Sequence, residues 1–312
     1  MMTPSPARHG PTVHAPSVAV VLVTHQTRDE VLGALATLDG SCERVVVDTG
    51  SRDGTADAVR AAHPDVRVLE LVNAGFARGA NAGIRACDAE VVVLANADVR
   101  FAPGAVHRLA SALRDEPGVG ALGPRVVYPD GRPQASARSL PDLRTAVLHA
   151  LFGRLRPGNP WTRRYREVDL DPTAPRDVGW VSGCVVALRR DALETVDGFD
   201  PGYPLYVEDV DLCLRLRDAG WRIRYEPSAE VVHRVGASTG ARRLRALTWH
   251  AHGLDRLVGR RYGRRPGGRL LRAALRVGLV GWVGVSWVLE RALPGPRSTT
   301  GERLSSRPEG TS

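Results

Sequence analysis

Asp98 closes an apolar stretch, Glu90 to Leu94, through the step Asn96-Ala97. A carboxylate just past a buried strand is desolvated enough to hold a hard cation and still open to a ligand. Mg²⁺ or Mn²⁺ needs few protein carboxylates where phosphate oxygens fill the other positions. Asn96, two residues earlier, points to the same side of an extended chain. A helix cap or loop aspartate is the competing structural role. Glu208, Asp209 and Asp211 form a second constellation. The dipole at a helix start favours such acids. Crowded carboxylates also repel one another unless a cation or proton relieves them, so one of them is expected to have a raised pKa and act as a base. His233 ends the extended run Ala229 to Val232 and is a candidate ligand, although a lone histidine is more often a core or surface residue. Between Asn73 and Asn81, Gly75 and Gly79 would let the backbone approach a ligand, with a helix N-terminus to receive a phosphate. There is no lysine for a Walker loop, and the glycine spacing is not that of the dinucleotide fingerprint.

The elements that must position these residues read as an alternation. Ser17 to Val23 is a β-branched strand, buried by composition. Asp29 to Leu38 has helical spacing, and Arg44 to Val47 is a strand ending at Asp48. Asp53 is placed to cap a helix to Ala62. Val66 to Leu71, Gly75 to Ala86 and Glu90 to Leu94 continue as strand, helix and strand, and Pro103 opens another helix. This order predicts an α/β fold, a Rossmann-like, mostly parallel sheet flanked by helices, with ligands beyond the C-terminal strand ends. Past Gly118 the pattern loosens. Val119 to Tyr128 and Trp180 to Leu188 read as strands. Gln134 to Asp177 reads as a loop or lid with a short helix at Leu143 to Phe152. Val207 to Ala219 reads as a helix ended by Gly220, and Ile223 to Tyr225 and Glu230 to His233 as two short strands.

The chain is long enough for a full core, and 43% hydrophobic with 25% charged residues excludes wholesale disorder. The net charge of +9 and pI near 10.2 favour polyanionic partners. Every basic residue is arginine, and the stretch Arg242 to Arg276 holds a single acid, Asp255. No nucleic-acid-binding motif is found and aromatics are only 5%, so no nucleic-acid partner is expected. Cys42, Cys87, Cys184 and Cys213 form no CxxC pair and read as buried reduced thiols, suited to a cytoplasmic setting. Val277 to Leu289 is apolar but short of the roughly twenty residues a span requires. The expected organisation is a tail at 1–16, one catalytic domain at 17–240, a basic helical extension at 241–292, and a tail at 293–312.

In order, the segments Val23-Thr24-His25, Val47 to Thr55, Asn73 to Gly83, Asn96-Ala97-Asp98, Gly198-Phe199-Asp200, Glu208 to Asp211 and His233 resemble the inverting family-2 glycosyltransferases of the GT-A fold. The resemblance covers about Val18 to Ser238. It is nearest to bacterial rhamnosyltransferases, through Gly120 to Pro124, Asn159 to Thr162, Val178 to Gly183 and Val196 to Asp200. It implies a nucleotide-sugar donor and a metal-dependent, inverting transfer, with L-rhamnose from dTDP-rhamnose as the expected sugar. The implied acceptor is a polyprenyl-diphosphate-linked or other glycan of cell-envelope polysaccharide synthesis. Asp98 and His233 would contact Mg²⁺ or Mn²⁺ on the diphosphate. Thr24, Asp48 and Asp53 would lie at the nucleotide, and Arg78 and Asn81 at the diphosphate or sugar. Asn96, Trp180 and Glu208 would bind substrate, Asp209 would be the base, and Phe199, Tyr203 and Tyr206 would wall the sugar. His25-Gln26, Thr49, Asn96 and Pro204-Leu205 depart from the usual family residues, which bears on nucleotide and acceptor preference. The arginine-rich end, with Trp282 and Trp287, is expected to meet an anionic leaflet peripherally at the inner face of the plasma membrane, or else to pack as an ordinary amphipathic helix. Another nucleotide sugar, UDP-galactose or UDP-GlcNAc, and a non-catalytic nucleotide-sugar-binding protein are the alternatives.

Overall fold

The computed structural model describes residues 18–140, 156, 158–167, 171–234 and 243–292. The short helix expected at Leu143 to Phe152 and the expected tails fall outside the described residues. The chain divides into two compact units between Leu257 and Val258.

The first unit opens with β1 (Val18–Thr24), α1 (Arg28–Leu35), β2 (Glu43–Asp48), α2 (Thr55–Ala62), β3 (Arg67–Glu70), α3 (Phe76–Arg85) and β4 (Val91–Asn96). It continues through β5 (Val99–Phe101), α4 (Ala105–Asp115), β6 (Val119–Val127), β7 (Ala137–Arg138), α5 (Pro160–Arg166), β8 (Arg176–Asp177) and β9 (Trp180–Val181). Then follow β10 (Val185–Arg189), α6 (Arg190–Thr195), α7 (Glu208–Asp218), β11 (Arg222–His233) and most of α8 (Arg243–Tyr262). The strands order as β3-β2-β1-β4-β10-β6-β11-β5, with β8 also on β11. β1, β2, β3 and β4 are mutually parallel, as the alternation requires. β10 runs antiparallel between β4 and β6, and β5 and β8 run antiparallel to β11.

All seven residues of β1 are buried, because helices cover both faces of the sheet. Val18, Val20 and Leu22 join one core with Val31, Leu35 and Leu109. Ala19, Val21 and Val23 join the other with Ala77, Ala80, Leu188 and Leu212. The period of two along the strand thus divides one apolar run between two layers. Gly79 and Gly83 serve this packing: a Cβ on Gly83 would strike Val21 and Val47, so glycine brings α3 close to the sheet. The expectation that Gly79 opens the backbone to a ligand is replaced by a packing role.

Two strand expectations change. Trp180 to Leu188 is interrupted at Ser182 to Cys184, where Ser182 N donates to Ser136 O at 2.7 Å and Gly183 N donates to Asp209 at 2.9 Å. Ile223 to Tyr225 and Glu230 to His233 are one strand, β11, whose register against β6 slips between Glu226 and Glu230. Pro227 has no N–H for the ladder and sits in that slip.

The second unit contains the end of α8 and α9 (Gly268–Ala292), a helix of 25 residues. Along α9, Leu270, Val277, Val280 and Trp287 are exposed. Among the described residues, no helix is long and apolar enough to cross a membrane.

Candidate active site

A cleft of about 1220 Å³ opens over the C-terminal ends of β1, β2 and β4. Three groups line it. The loops after β1, β2 and β3 give Thr24 to Thr27, Thr49 to Arg52 and Glu70 to Phe76. The β4–β5 junction and the last residue of β11 give Asn96, Ala97, Asp98 and His233. Pro204 to Tyr206 and Arg245, Ala246 and Trp249 of α8 complete it.

Asp98 and His233 meet because β5 pairs antiparallel with β11, His233 against Val99. His233 Nε2 lies 3.2 Å from Asp98 Oδ1. Its other nitrogen, Nδ1, lies 2.9 Å from Gln134 Oε1, and Gln134 Nε2 donates to His233 O at 3.3 Å. An acceptor at Nδ1 keeps a proton there and turns the Nε2 lone pair of neutral imidazole toward Asp98. Burial pulls the His233 pKa down. Hydrogen bonds and charge from Asp98 and Cys184 outweigh it and raise the pKa to about 10. The donors fit a hard divalent ion: one carboxylate, one oriented imidazole and the nearby Asn96. Among the described residues there is no group of three or more His, Cys, Asp or Glu able to cage an ion. The remaining positions would fall to substrate oxygens and water.

Asp209 stands one layer behind the cleft lining. Its Oδ2 accepts from Gly183 N at 2.9 Å and its Oδ1 from Val210 N at 2.8 Å. The next residue, Cys184, accepts at its carbonyl from Asn96 N at 2.9 Å. The 182–184 turn therefore links the base candidate to the Asn96–Asp98 strand end. Asp209 is partly buried, and desolvation raises its pKa against the pull of those N–H groups and Arg138. Neighbouring Glu208 is buried, its Oε2 has no partner, and desolvation followed by the Asp209 charge lifts its pKa to about 8. The pair separates its roles: the carboxylate with donors keeps the charge, and the one without keeps the proton. Asp211 is structural, bonded to Tyr203 Oη at 3.1 Å and Arg215 Nε at 2.7 Å.

The turn into α7 is strained. Tyr206 and Val207 have φ of 68° and 71°, a region costly for a β-branched residue. α8 holds it in place. A Cβ on Gly253 would come within 2.9 Å of Tyr206 O and 3.0 Å of Val207, so glycine permits the approach. His250 packs edge-on against Tyr206 with centroids 5.9 Å apart. Arg256 binds Asp200 through Nε at 3.1 Å and Nη2 at 2.8 Å. One turn and more upstream, Arg245 stacks over Trp249, its guanidinium carbon 4.4 Å from the ring centroid.

Of the residues singled out from sequence, Thr24, Asn96, Asp98 and His233 line the cleft. Asp48 is buried beneath its rim and bonds Ser51 through the backbone N–H and the hydroxyl. Asp53 accepts from Thr55 N at 3.2 Å and Arg28 N at 3.3 Å, so it shapes the same rim. Asn81 clamps Phe199, donating to its carbonyl at 2.7 Å and accepting from its N–H at 2.9 Å. Arg78 is exposed on α3. Trp180 is buried in β9 beside α7. Phe199 and Tyr203 are fully buried core residues and do not wall the cleft as expected; of the three aromatics only Tyr206 lines it. Gly75 and Phe76 border the cleft, but Phe76 N donates to Pro204 O at 3.0 Å, so that helix-start amide already has a partner. The sequence reading missed Gln134, Arg245 and Trp249.

The model of glycosyl transferase family 2 matches residues 19–197. The N-acetylglucosaminyl-diphospho-decaprenol L-rhamnosyltransferase of Mycobacterium tuberculosis is 41% identical over 237 residues, covering 71% of this chain and 77% of that protein. Rhamnosyltransferase WbbL of Escherichia coli is 36% identical over 84 residues, 27% of this chain and 32% of its own. Among solved structures, a mannosyltransferase of Pyrobaculum calidifontis, in complex with GDP-Man and Mn²⁺, superposes with a TM-score of 0.54 at 21% identity. That match covers 93% of this chain and 79% of the other, and it fixes the GT-A-like architecture. With family match, relatives and fold in agreement, the chain belongs to glycosyl transferase family 2 and is a glycosyltransferase.

Proposed function

We propose that this enzyme transfers L-rhamnose from dTDP-L-rhamnose to a sugar carried on a polyprenyl diphosphate, inverting the anomeric centre. The relative named an L-rhamnosyltransferase, at 41% identity, supports the sugar and the acceptor class. The observation that carries the chemistry is the 182–184 turn, which ties Asp209 to the Asn96–Asp98 strand end. Asp209 takes the proton of the acceptor hydroxyl as its oxygen forms a bond to the anomeric carbon. The bond from that carbon to the diphosphate breaks on the opposite face, and the electron pair leaves with dTDP. Asp98 and His233 would hold Mg²⁺ or Mn²⁺, which when bound neutralises charge on the leaving diphosphate. Thr24 and the Thr49–Arg52 loop, braced by Asp48 and Asp53, offer the nucleotide a polar floor. Arg78 and Asn81 act on α3 from outside the lining, Asn81 by fixing the Phe199 backbone.

A polyprenyl acceptor resides in a bilayer, and the reading includes peripheral contact at the inner face of the plasma membrane. Leu270, Val277 and Val280 are 78%, 76% and 74% exposed on α9, beside the exposed Arg269 and Arg276. Apolar and cationic groups together suit an anionic leaflet. No nucleic-acid partner is part of the reading.

The test is turnover of purified protein with a short-chain N-acetylglucosaminyl-diphosphoprenol and a panel of dTDP-L-rhamnose, UDP-galactose and UDP-GlcNAc. The expected result is a rhamnosylated lipid with inverted configuration and release of dTDP. Transfer from a UDP-sugar with dTDP-L-rhamnose inert would replace the donor, and turnover of none would remove the catalytic reading.

A further inference from the structure

The acids that line the cleft are already matched. Glu70 lies 2.5 Å from Arg60 Nη2, and Asp98 Oδ1 lies 3.2 Å from His233 Nε2. Arg245, on the α8 wall of the same cleft, is not. Among the described residues its guanidinium has no hydrogen-bond or ion-pair partner. It rests over the Trp249 ring instead, 4.4 Å from the centroid. Arg245, Ala246 and Trp249 stand within one turn of α8 and all three line the cleft, so this face of the helix is the one turned toward a ligand. The stack decides what Arg245 offers. Its N–H donors lie in the guanidinium plane, and a ring against the flat face leaves them all available at the edges. The ring also steadies the head of a long side chain, which then has less freedom to lose on binding. A planar fork of unspent donors matches a phosphate with two parallel hydrogen bonds.

We infer that Arg245, steadied by Trp249, binds the terminal phosphate of the leaving nucleoside diphosphate. This deepens the transfer reading above and rests on its donor. Neither the base nor the sugar of a nucleotide sugar carries charge, so a spare cation in the cleft pairs with the diphosphate. When the bond from the anomeric carbon breaks, its electron pair stays on the terminal phosphate, which gains one negative charge. A cation fixed at that point before the reaction favours the charge as it builds. The protein side of the metal site brings only one carboxylate, Asp98, with neutral Asn96 beside it, so a single ion there does not balance the departing diphosphate alone. The acceptor's diphosphate is a second oxyanion of the same chemistry. Arg245 shares its cleft with Thr24 and the Thr49–Arg52 loop of the nucleotide floor, which assigns it to the nucleotide. Arg52, the other arginine of the lining, belongs to that floor loop.

Calorimetric titration of the full chain with dTDP and with dTMP, in Mg²⁺, tests this without turnover. Arg245→Gln removes the charge and keeps a polar side chain at an exposed position. It should raise the dTDP Kd about tenfold, the loss of a hydrogen-bonded charge pair, and the dTMP Kd several-fold less. Arg85→Gln removes an exposed charge at the far end of α3 and should leave both Kd values as they are. An unchanged dTDP Kd in Arg245→Gln would overturn the contact. So would equal rises for dTDP and dTMP, or a dTDP rise of the same size in Arg85→Gln, which would reduce Arg245 to long-range charge. A raised Kd for a short-chain N-acetylglucosaminyl-diphosphoprenol, with that for dTDP unaltered, would assign Arg245 to the acceptor and overturn it too. Should wild type bind UDP and not dTDP, the rhamnose donor reading fails by itself, and the ratio of UDP to UMP tests Arg245 in the same way.

Discussion

Replacing Glu208 by Gln should stabilise the protein, and more so as pH rises. In the native state the Glu208 carboxyl is buried beside the Asp209 charge, and its pKa stands near 8 against an ordinary 4.5. The folded protein therefore binds that proton more tightly than the unfolded chain. Wild-type stability must fall as pH climbs from about 4.5 to about 8, and the loss is complete above that window. That gap corresponds to about 5 kcal/mol. Asp209 retains a share of it when its neighbour no longer takes the proton, so the relief on substitution is about 2–5 kcal/mol. The glutamine keeps the shape and cannot ionise. Urea unfolding of both proteins at pH 4.5 and pH 9 reads the difference, with midpoints converted through a common slope. The two should nearly coincide at the acid end and separate at the alkaline end in favour of the variant. Parallel stability curves would show that Glu208 is not desolvated in the fold, and would remove the argument that it spares Asp209 the proton.

Asp209→Asn should lower kcat by about 10²–10⁴-fold while dTDP still binds; a near wild-type kcat excludes it as the base. Because desolvation raises the Asp209 pKa, the acid limb of the kcat profile should fall at a pH above the ordinary carboxylate range, and a limb near pH 4 would contradict this. Gln134→Leu removes the partner that orients His233 and should weaken activation by Mn²⁺ about 10–100-fold, read as the metal concentration giving half-maximal rate; an unaltered requirement separates His233 from the metal. Gly253→Ala should cost about 1–3 kcal/mol by overpacking against Tyr206 and Val207. It should also lower kcat, and a stable variant of full activity would show that the turn does not depend on α8.

The parallel half of the fold was legible because β1, β2 and β4 carry apolar runs that reach both faces and are separated by helix-period segments. That pattern also placed Asp98 at a strand end. His233 was a weaker inference, since only the β5–β11 pairing brings it to Asp98, and a three-residue strand after Asp98 leaves little trace in sequence. β10 entered antiparallel between β4 and β6, and nothing local in Val185 to Arg189 encodes its direction. The aromatics Phe199 and Tyr203 were misplaced because proximity in sequence to the acids was read as proximity to a ligand, whereas both turn into the core. Arg245 and Trp249 were read as part of a basic surface stretch. Their spacing of one helical turn was visible, but which face meets the cleft is decided by Arg256, Gly253 and His250 further along the helix.

The segment α8 lies wholly beyond the part of the chain that the family match covers, yet it supplies Arg245 and Trp249 to the cleft and braces the strained turn before Asp209. Trimming the protein to its matched core would remove Asp209 and His233 as well, whereas trimming from Arg243 onward would leave the nucleotide floor standing and strip away one wall together with its brace. Conversely, a chimera that exchanges this helix as one cassette, from its first cleft residue through Arg256, would replace one wall of the cleft while leaving the strand-end floor as it is.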